Sequence, residues 1–267
     1  MTERSRRSFL RTSVLGGAVA GGAVLLPAGL ASAAESPALH DPRHRDCGCT
    51  VPPGPGQPGA TRLELRVVNN STQFQDLCVY QQPLDLGVPN ALSLAWLTAP
   101  AWPSTTVAFD WTETYNFVWG QTGPLVPGTV FRSGQTWDAD PNSQALQQVQ
   151  LDYAQGAFTF EQGPALGNPQ PGSLYIRELA SIPIDTGTAG IGMSGSGTFV
   201  VPAMPNINLV FTPHPNYWVT AGTFVNGTVI DIEQITNTAE IRFPAGVTSM
   251  VATLGPDNNW TVRPDTA

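Results

Sequence analysis

Several groups of side chains in this sequence are spaced as if for chemistry. Asp138-x-Asp140-x-Asn142 places three oxygen-bearing side chains at alternate positions, as a calcium loop does. It is not an EF-hand, because the sixth position is Ser143 rather than Gly and the twelfth is Val149 rather than Glu. A loop of a β-sandwich could still hold Ca²⁺ with help from backbone carbonyls. The competing reading is a solvated Asx-turn that caps the segment after it. His40, His44, Cys47 and Cys49 are soft-metal ligand types lying close together. Their Cys-x-Cys spacing is not the Cys-x-x-Cys of structural zinc, and no core surrounds them to orient ligands. An oxidised or unfolded tail is the simpler reading.

His214 sits between Pro213 and Pro215 and is the one histidine beyond that tail, so histidine-dependent catalysis in the folded part would have to use it. Ser194 or Ser196 could then serve as nucleophile, with Asp110 or Asp231 as orienting acid. No Gly-x-Ser-x-Gly elbow accompanies them, a surface or packed histidine is the ordinary outcome, and no residue is assigned as catalytic. The chain has no lysine, which excludes Schiff-base chemistry and a Ser-Lys pair. Gly190-x-Gly192-x-x-Gly195 matches the dinucleotide fingerprint, but that motif needs a helix straight after the glycines. Here Thr198-Phe199-Val200-Val201 follows and reads as a strand. The glycines therefore predict a bulged loop or a close approach of two backbones.

Seven tryptophans remain to be placed. Most should be core, because buried aromatics hold a sandwich together. Trp102, Trp137 and Trp218 have proline or polar neighbours, as residues at strand ends and in loops do. Trp218 and Tyr217 follow Pro213-His214-Pro215, where the prolines restrict the backbone. Trp218, Tyr217, His214, Trp102 and Trp137 form the candidate ligand-binding set. Exposed aromatics with few charges suit stacking on sugar rings or another neutral ligand.

The elements that would carry these residues are strands. Leu63, Leu65 and Val67 alternate with Arg62, Glu64 and Arg66. The same period of two recurs at Leu174/Ile176, Ile207/Leu209/Phe211, Ile230/Ile232 and Ile241/Phe243. Turn signals such as Asn69-Asn70, Gly123-Pro124 and Pro171-Gly172 separate the runs. The best helical candidate, residues 142–149, is short and Gln-rich. One long alternating run holds Val107, Phe109, Trp111, Tyr115, Phe117 and Trp119, with Glu113 as its odd member. A carboxylate there must be paired, protonated or at a strand end, and a turn at Glu113 is the simplest account. These patterns predict an all-β chain: a single antiparallel β-sandwich, jelly-roll-like, with long loops.

Ser5-Arg6-Arg7-Ser8-Phe9-Leu10 resembles a twin-arginine export signal. The uncharged residues 12–30 follow, then an Ala31-Ser32-Ala33 cleavage site. The expected organisation is a signal peptide over 1–33, a polar tail and Pro/Gly-rich linker over 34–61, and the β-sandwich over 62–267. The protein would act outside the cytoplasm. With 12 basic and 20 acidic residues the chain is net negative, and removing the Arg-rich signal makes it more so. Nucleic acid and anionic membrane surfaces are therefore not expected partners. Cys78 lies in an apolar run and reads as a buried structural thiol.

Whole segments, in order, carry a family resemblance: Val79-Tyr80-Gln81-Gln82-Pro83, Ser93-Leu94-Ala95-Trp96, Phe109-Asp110-Trp111, Trp137-Asp138-Ala139-Asp140, Gly172-Ser173-Leu174-Tyr175-Ile176-Arg177-Glu178 and Thr212-Pro213-His214-Pro215-Asn216-Tyr217-Trp218. Over about residues 65–262 the chain resembles the RhiA-like bacterial proteins. The resemblance implies a shared core domain to which the export signal and linker are additions. It supplies no catalytic residue. The expected function is extracellular binding, of carbohydrate or protein. The alternatives are a secreted hydrolase using His214 or paired carboxylates, and a metal-supported surface protein.

Overall fold

The computed structural model describes residues 59–164 and 167–266. The export segment, the tail with His40, His44, Cys47 and Cys49, and nearly all of the linker lie outside the described residues. The described chain is all-β and sandwich-like, with no α-helix and one 3₁₀ turn at Ile232–Gln234. No helix among the described residues is long and apolar enough to cross a membrane.

The strands form four sheets. In the first, the order is β18 (Trp260–Pro264), β17 (Ser249–Leu254), β1 (Arg62–Asn69) and β5 (Thr105–Thr112). In the second it is β16 (Thr238–Ile241), β14 (Tyr217–Gly222), β2 (Gln75–Tyr80) and β4 (Leu97–Ala101). Their inward residues share one core that includes Leu65, Val67, Leu77, Val79, Trp96 and Trp111. The third sheet runs β15 (Val229–Ile230), β3 (Leu92–Leu94), β12 (Ser196–Pro202), β11 (Thr188–Met193), β6 (Tyr115–Gly120) and β7 (Gln135–Ala139). The fourth runs β13 (Asn208–Phe211), β10 (Leu174–Glu178), β8 (Gln148–Ala154) and β9 (Ala157–Glu161). A second core, with Phe117, Leu151, Phe160, Ile176 and Phe211, joins these two. Pairing is antiparallel except between β1 and β17 and between β8 and β10.

Period-two alternation does what it predicts in β1. Leu63, Leu65 and Val67 are buried while Arg62, Glu64 and Arg66 stay accessible. It fails at Ile207, which is exposed and precedes β13 (Asn208–Phe211), and at Ile232. Ile230 is a buried strand residue, but Ile232 belongs to the 3₁₀ turn, where Asp231 caps the chain by accepting from Glu233 N–H. The helical candidate 142–149 is a single turn: Ser143 C=O accepts from Leu146 and Gln147 N–H, and β8 takes over at Gln148. Val149 and Leu151 are needed in the second core, and that demand outweighs local helix preference.

Gly190 and Gly192 lie in β11, which pairs with β12 across a bulge between Ile191 and Gly192. A Cβ on Gly190 would fall 1.9 Å from Phe199 O, and one on Gly192 1.8 Å from Ser196 O. Ser194 and Gly195, at φ 52° and 77°, close the hairpin as a two-residue turn. Bulge and close approach thus occur together, and no helix follows. Cys78 is a free thiol buried on β2, and burial pushes its pKa far up.

Candidate functional site

The run 107–119 breaks at Glu113. β5 ends at Thr112 in the first sheet, and β6 begins at Tyr115 in the third. The turn between them is clamped. Ser194 Oγ accepts from Thr112 N–H and donates to Thr112 C=O, both at 2.7 Å. Ser194 N–H bonds Thr114 C=O at 2.9 Å, and Glu113 N–H bonds Thr61 C=O at 2.9 Å.

This clamp holds the Glu113 carboxylate at one end of the first core. There Tyr217, the first residue of β14, donates its hydroxyl to Glu113 Oε1 at 2.7 Å. The Tyr217 ring packs 4.9 Å from Trp111 and 5.9 Å from Phe243. Burial, reinforced by the carboxylate it donates to, pushes the Tyr217 phenol well above its ordinary range. Tyr115 beside it is pushed up to about 12, first by burial and then by the Glu113 charge.

An open cavity of about 410 Å³ lies at this end, lined by Glu113, Asn216, Tyr217, Glu240, Arg242 and Phe243 among others. Glu240 and Arg242 pair across its rim at 2.6 Å. The Asn216 amide is fully engaged. Its oxygen accepts from Gln82 N–H, and its nitrogen donates to Gln82 and His214 carbonyls. Two other depressions differ in kind. One of about 230 Å³ beside β10 holds Arg177 and no carboxylate. One of about 560 Å³ over β1 holds Arg62, Glu64 and Asp110 and no aromatic ring.

The residues singled out in the sequence are dispersed. Tyr217 corrects the expectation that it lies outside the core: it is 5% exposed and belongs to the first core. Its place at the start of β14 points it inward, and Trp218 therefore points to the other face of the sheet. Trp218 is half-buried against Cys78, Tyr80, Ala95 and Ile230, with its indole nitrogen buried and without a hydrogen-bond partner. Trp137, on β7, is half-buried against the second core. His214 is exposed. Its candidate triad partners are engaged elsewhere: Ser194 with Thr112, Asp110 with Arg62 at 2.5 Å, and Asp231 as a cap. Glu113 and Glu240 share the cavity, but each already has a partner, Tyr217 and Arg242.

Asp138 is exposed on β7 opposite Asn116. Asp140 Oδ1 accepts from Asn142 N–H at 2.9 Å, the bond of an Asx-turn. Among the described residues no three His, Cys, Asp or Glu side chains gather as a metal cluster.

Trp102 is 65% exposed, and its ring lies 4.8 Å from that of Phe74, which is 43% exposed. Two turns present the pair. Asn69 Nδ2 donates to Gln73 and Ala101 carbonyls, and Trp102 C=O accepts from both the amide and the hydroxyl of Thr105. Sequence reading missed Phe74, although its neighbours Gln73 and Gln75 are the signal used for the tryptophans.

Glu178 was also missed. It is 2% exposed at the end of β10. Its Oε2 accepts from Met204 N–H at 3.1 Å, while Oε1 has no partner. Burial raises its pKa to about 7 against the opposing effect of that bond. Tyr175-Ile176-Arg177 does not distinguish this glutamate from a solvated strand end.

A sequence profile of the RhiA family matches residues 60–265, nearly the whole described domain. Protein RhiA of Rhizobium leguminosarum bv. viciae is 37% identical over 217 residues, which is 78% of this chain and 91% of that protein. No solved structure gives a significant match. The matched span contains both cores, the clamped turn at Glu113 and the Trp102 surface, and on the strength of both similarities the chain belongs to the RhiA family.

Proposed function

We propose that this chain is an exported binding protein that stacks a neutral, ring-containing ligand, carbohydrate in class, on Trp102 and Phe74. The exposure of that pair on a pre-fixed turn carries the reading. Two exposed rings on turns that are already hydrogen-bonded need little further ordering on binding. Their exposed neighbours Thr72, Gln73 and Ser104 are polar and uncharged, so they can meet hydroxyls without a charge to desolvate. Two exposed rings supply little of the roughly 800 Å² that a stable protein interface takes from each partner. The acidic balance of the chain disfavours nucleic acid and anionic lipid. Arg6-Arg7 and the Ala31-Ser32-Ala33 site support export.

The test is a glycan-array screen and a polysaccharide pull-down with the full chain and its Trp102→Ala variant. Binding by the parent, lost in the variant at unchanged melting temperature, is expected. No retained glycan, or equal retention by both proteins, would overturn the reading. Export is tested separately: Arg6→Lys with Arg7→Lys should leave the protein in the cytoplasmic fraction, because the translocase reads the paired guanidinium groups.

A further inference from the structure

The cavity at Glu113 shares no lining residue with the Trp102 surface. We propose that it binds a small organic cation, an amine carried on an apolar body, independently of the Trp102 surface.

Charge is the first reason. Glu240 is neutralised by Arg242, but Glu113 has no basic side chain within ion-pairing distance among the described residues. The cavity therefore carries one uncompensated negative charge, which repels anions. Only Oε1 of Glu113 is engaged, by Tyr217, and Oε2 has no hydrogen-bond partner among the described residues.

The second reason is the walls. Tyr217, Phe243, Leu63, Val247 and two prolines, Pro215 and Pro244, supply hydrocarbon and ring surface around the carboxylate. A charge in such a setting is less screened than one in open water, so an ammonium gains more there. The rings add attraction for a cation.

Third, few donors are left for a polyhydroxylated ligand. The Asn216 amide is saturated, and the Tyr217 hydroxyl proton is committed to Glu113. The remaining donor side chains, Thr61 and Arg242, are both exposed. Size agrees, since about 410 Å³ falls within the range of small-ligand sites. The carboxylate is also pre-positioned: its turn is held at Thr112, Glu113 and Thr114 before any ligand arrives.

Three probes of one shape separate the possibilities: phenethylamine, its neutral analogue 2-phenylethanol, and the anion phenylacetate. Binding to the full chain is followed by calorimetry and by tryptophan fluorescence, because Trp111 packs against Tyr217. Phenethylamine should bind at least about tenfold more tightly than 2-phenylethanol, and phenylacetate most weakly. Glu113→Gln should bring the amine-to-alcohol ratio close to one. Phe243→Ala should weaken amine and alcohol together. Trp102→Ala should alter neither, which separates failure here from failure of the carbohydrate reading. Equal affinity for amine and alcohol, no amine binding at ~10 mM, or a ratio untouched by Glu113→Gln would overturn the proposal. The ratio is measured on the unaltered chain, so it decides the matter even if a variant fails to fold.

Discussion

The two cores treat a carboxylate in opposite ways. At the end of the first, Glu113 sits at a strand break, keeps one oxygen facing a cavity and receives a proton donor from Tyr217. At the edge of the second, Glu178 is shut away with one oxygen bonded to a backbone amide and the other to nothing. A carboxylate at a boundary stays available to a ligand. A carboxylate inside changes the folding energy instead, because burial disfavours its charged form. The difference separates a group that can recognise something from one that makes stability depend on pH.

The hairpin β11–β12 ties the two regions together, with Ile191 in the second core and Met193 in the first. Gly192→Ala is the most severe way to break both. Its Cβ would meet the Ser196 carbonyl at 1.8 Å, and backbone cannot move aside cheaply. A loss above roughly 3 kcal/mol in urea unfolding, or failure to fold, is expected.

Glu178→Gln isolates the second core. The folded pKa of about 7 lies above the usual glutamate value of 4.5, so the folded state holds the proton more tightly than the unfolded chain. The stability this provides is complete below pH 4.5 and is lost as pH rises through 7. The glutamine variant has no proton to lose. It should therefore gain on the parent across that window, by up to about 3 kcal/mol at pH 8. Denaturant melts at pH 4 and pH 8 check this, and a difference between variant and parent that does not change with pH would refute it.

Tyr217→Phe probes the first core. It removes the donor to Glu113 while keeping the ring among Trp111 and Phe243, and should cost about 1–2 kcal/mol. Trp102→Ala, far from both carboxylates, should change stability by less than about 0.5 kcal/mol. A larger loss would make the aromatic pair a packing element rather than a binding surface. Asp138→Ala with Asp140→Ala should have a comparably small effect by releasing an Asx-turn. A melting temperature that millimolar Ca²⁺ raises in the parent alone would assign that loop to calcium.

Much of the scaffold is legible in the residues. Alternation in β1 assigns Leu63, Leu65 and Val67 to one face and Arg62, Glu64 and Arg66 to the other. Glu113 marks its own turn because a carboxylate cannot continue an aromatic face unpaired. The spacing of Gly190 and Gly192 signals close backbones, and the order of segments signals the family. Each of these follows from a local rule: parity, turn chemistry or the absence of a Cβ. Which face is covered, and by what, is not local. Tyr217 and Trp218 are adjacent and chemically alike, yet β14 lies between two sets of neighbours, so one ring enters the first core while the other packs on Cys78 and Tyr80. Glu113 and Tyr217 are 104 residues apart and meet because β5 and β14 belong to sheets that share a core. Trp102 is exposed because no described residue folds over the turn that holds it, and Glu178 is buried because β13 and the chain before it close over the end of β10. The sequence by itself determined the all-β class, the inward face of β1 and the family. Tertiary structure decided which aromatic is offered to solvent and which carboxylate faces a cavity, because exposure depends on the elements packed above a residue and not on the residue's own pattern.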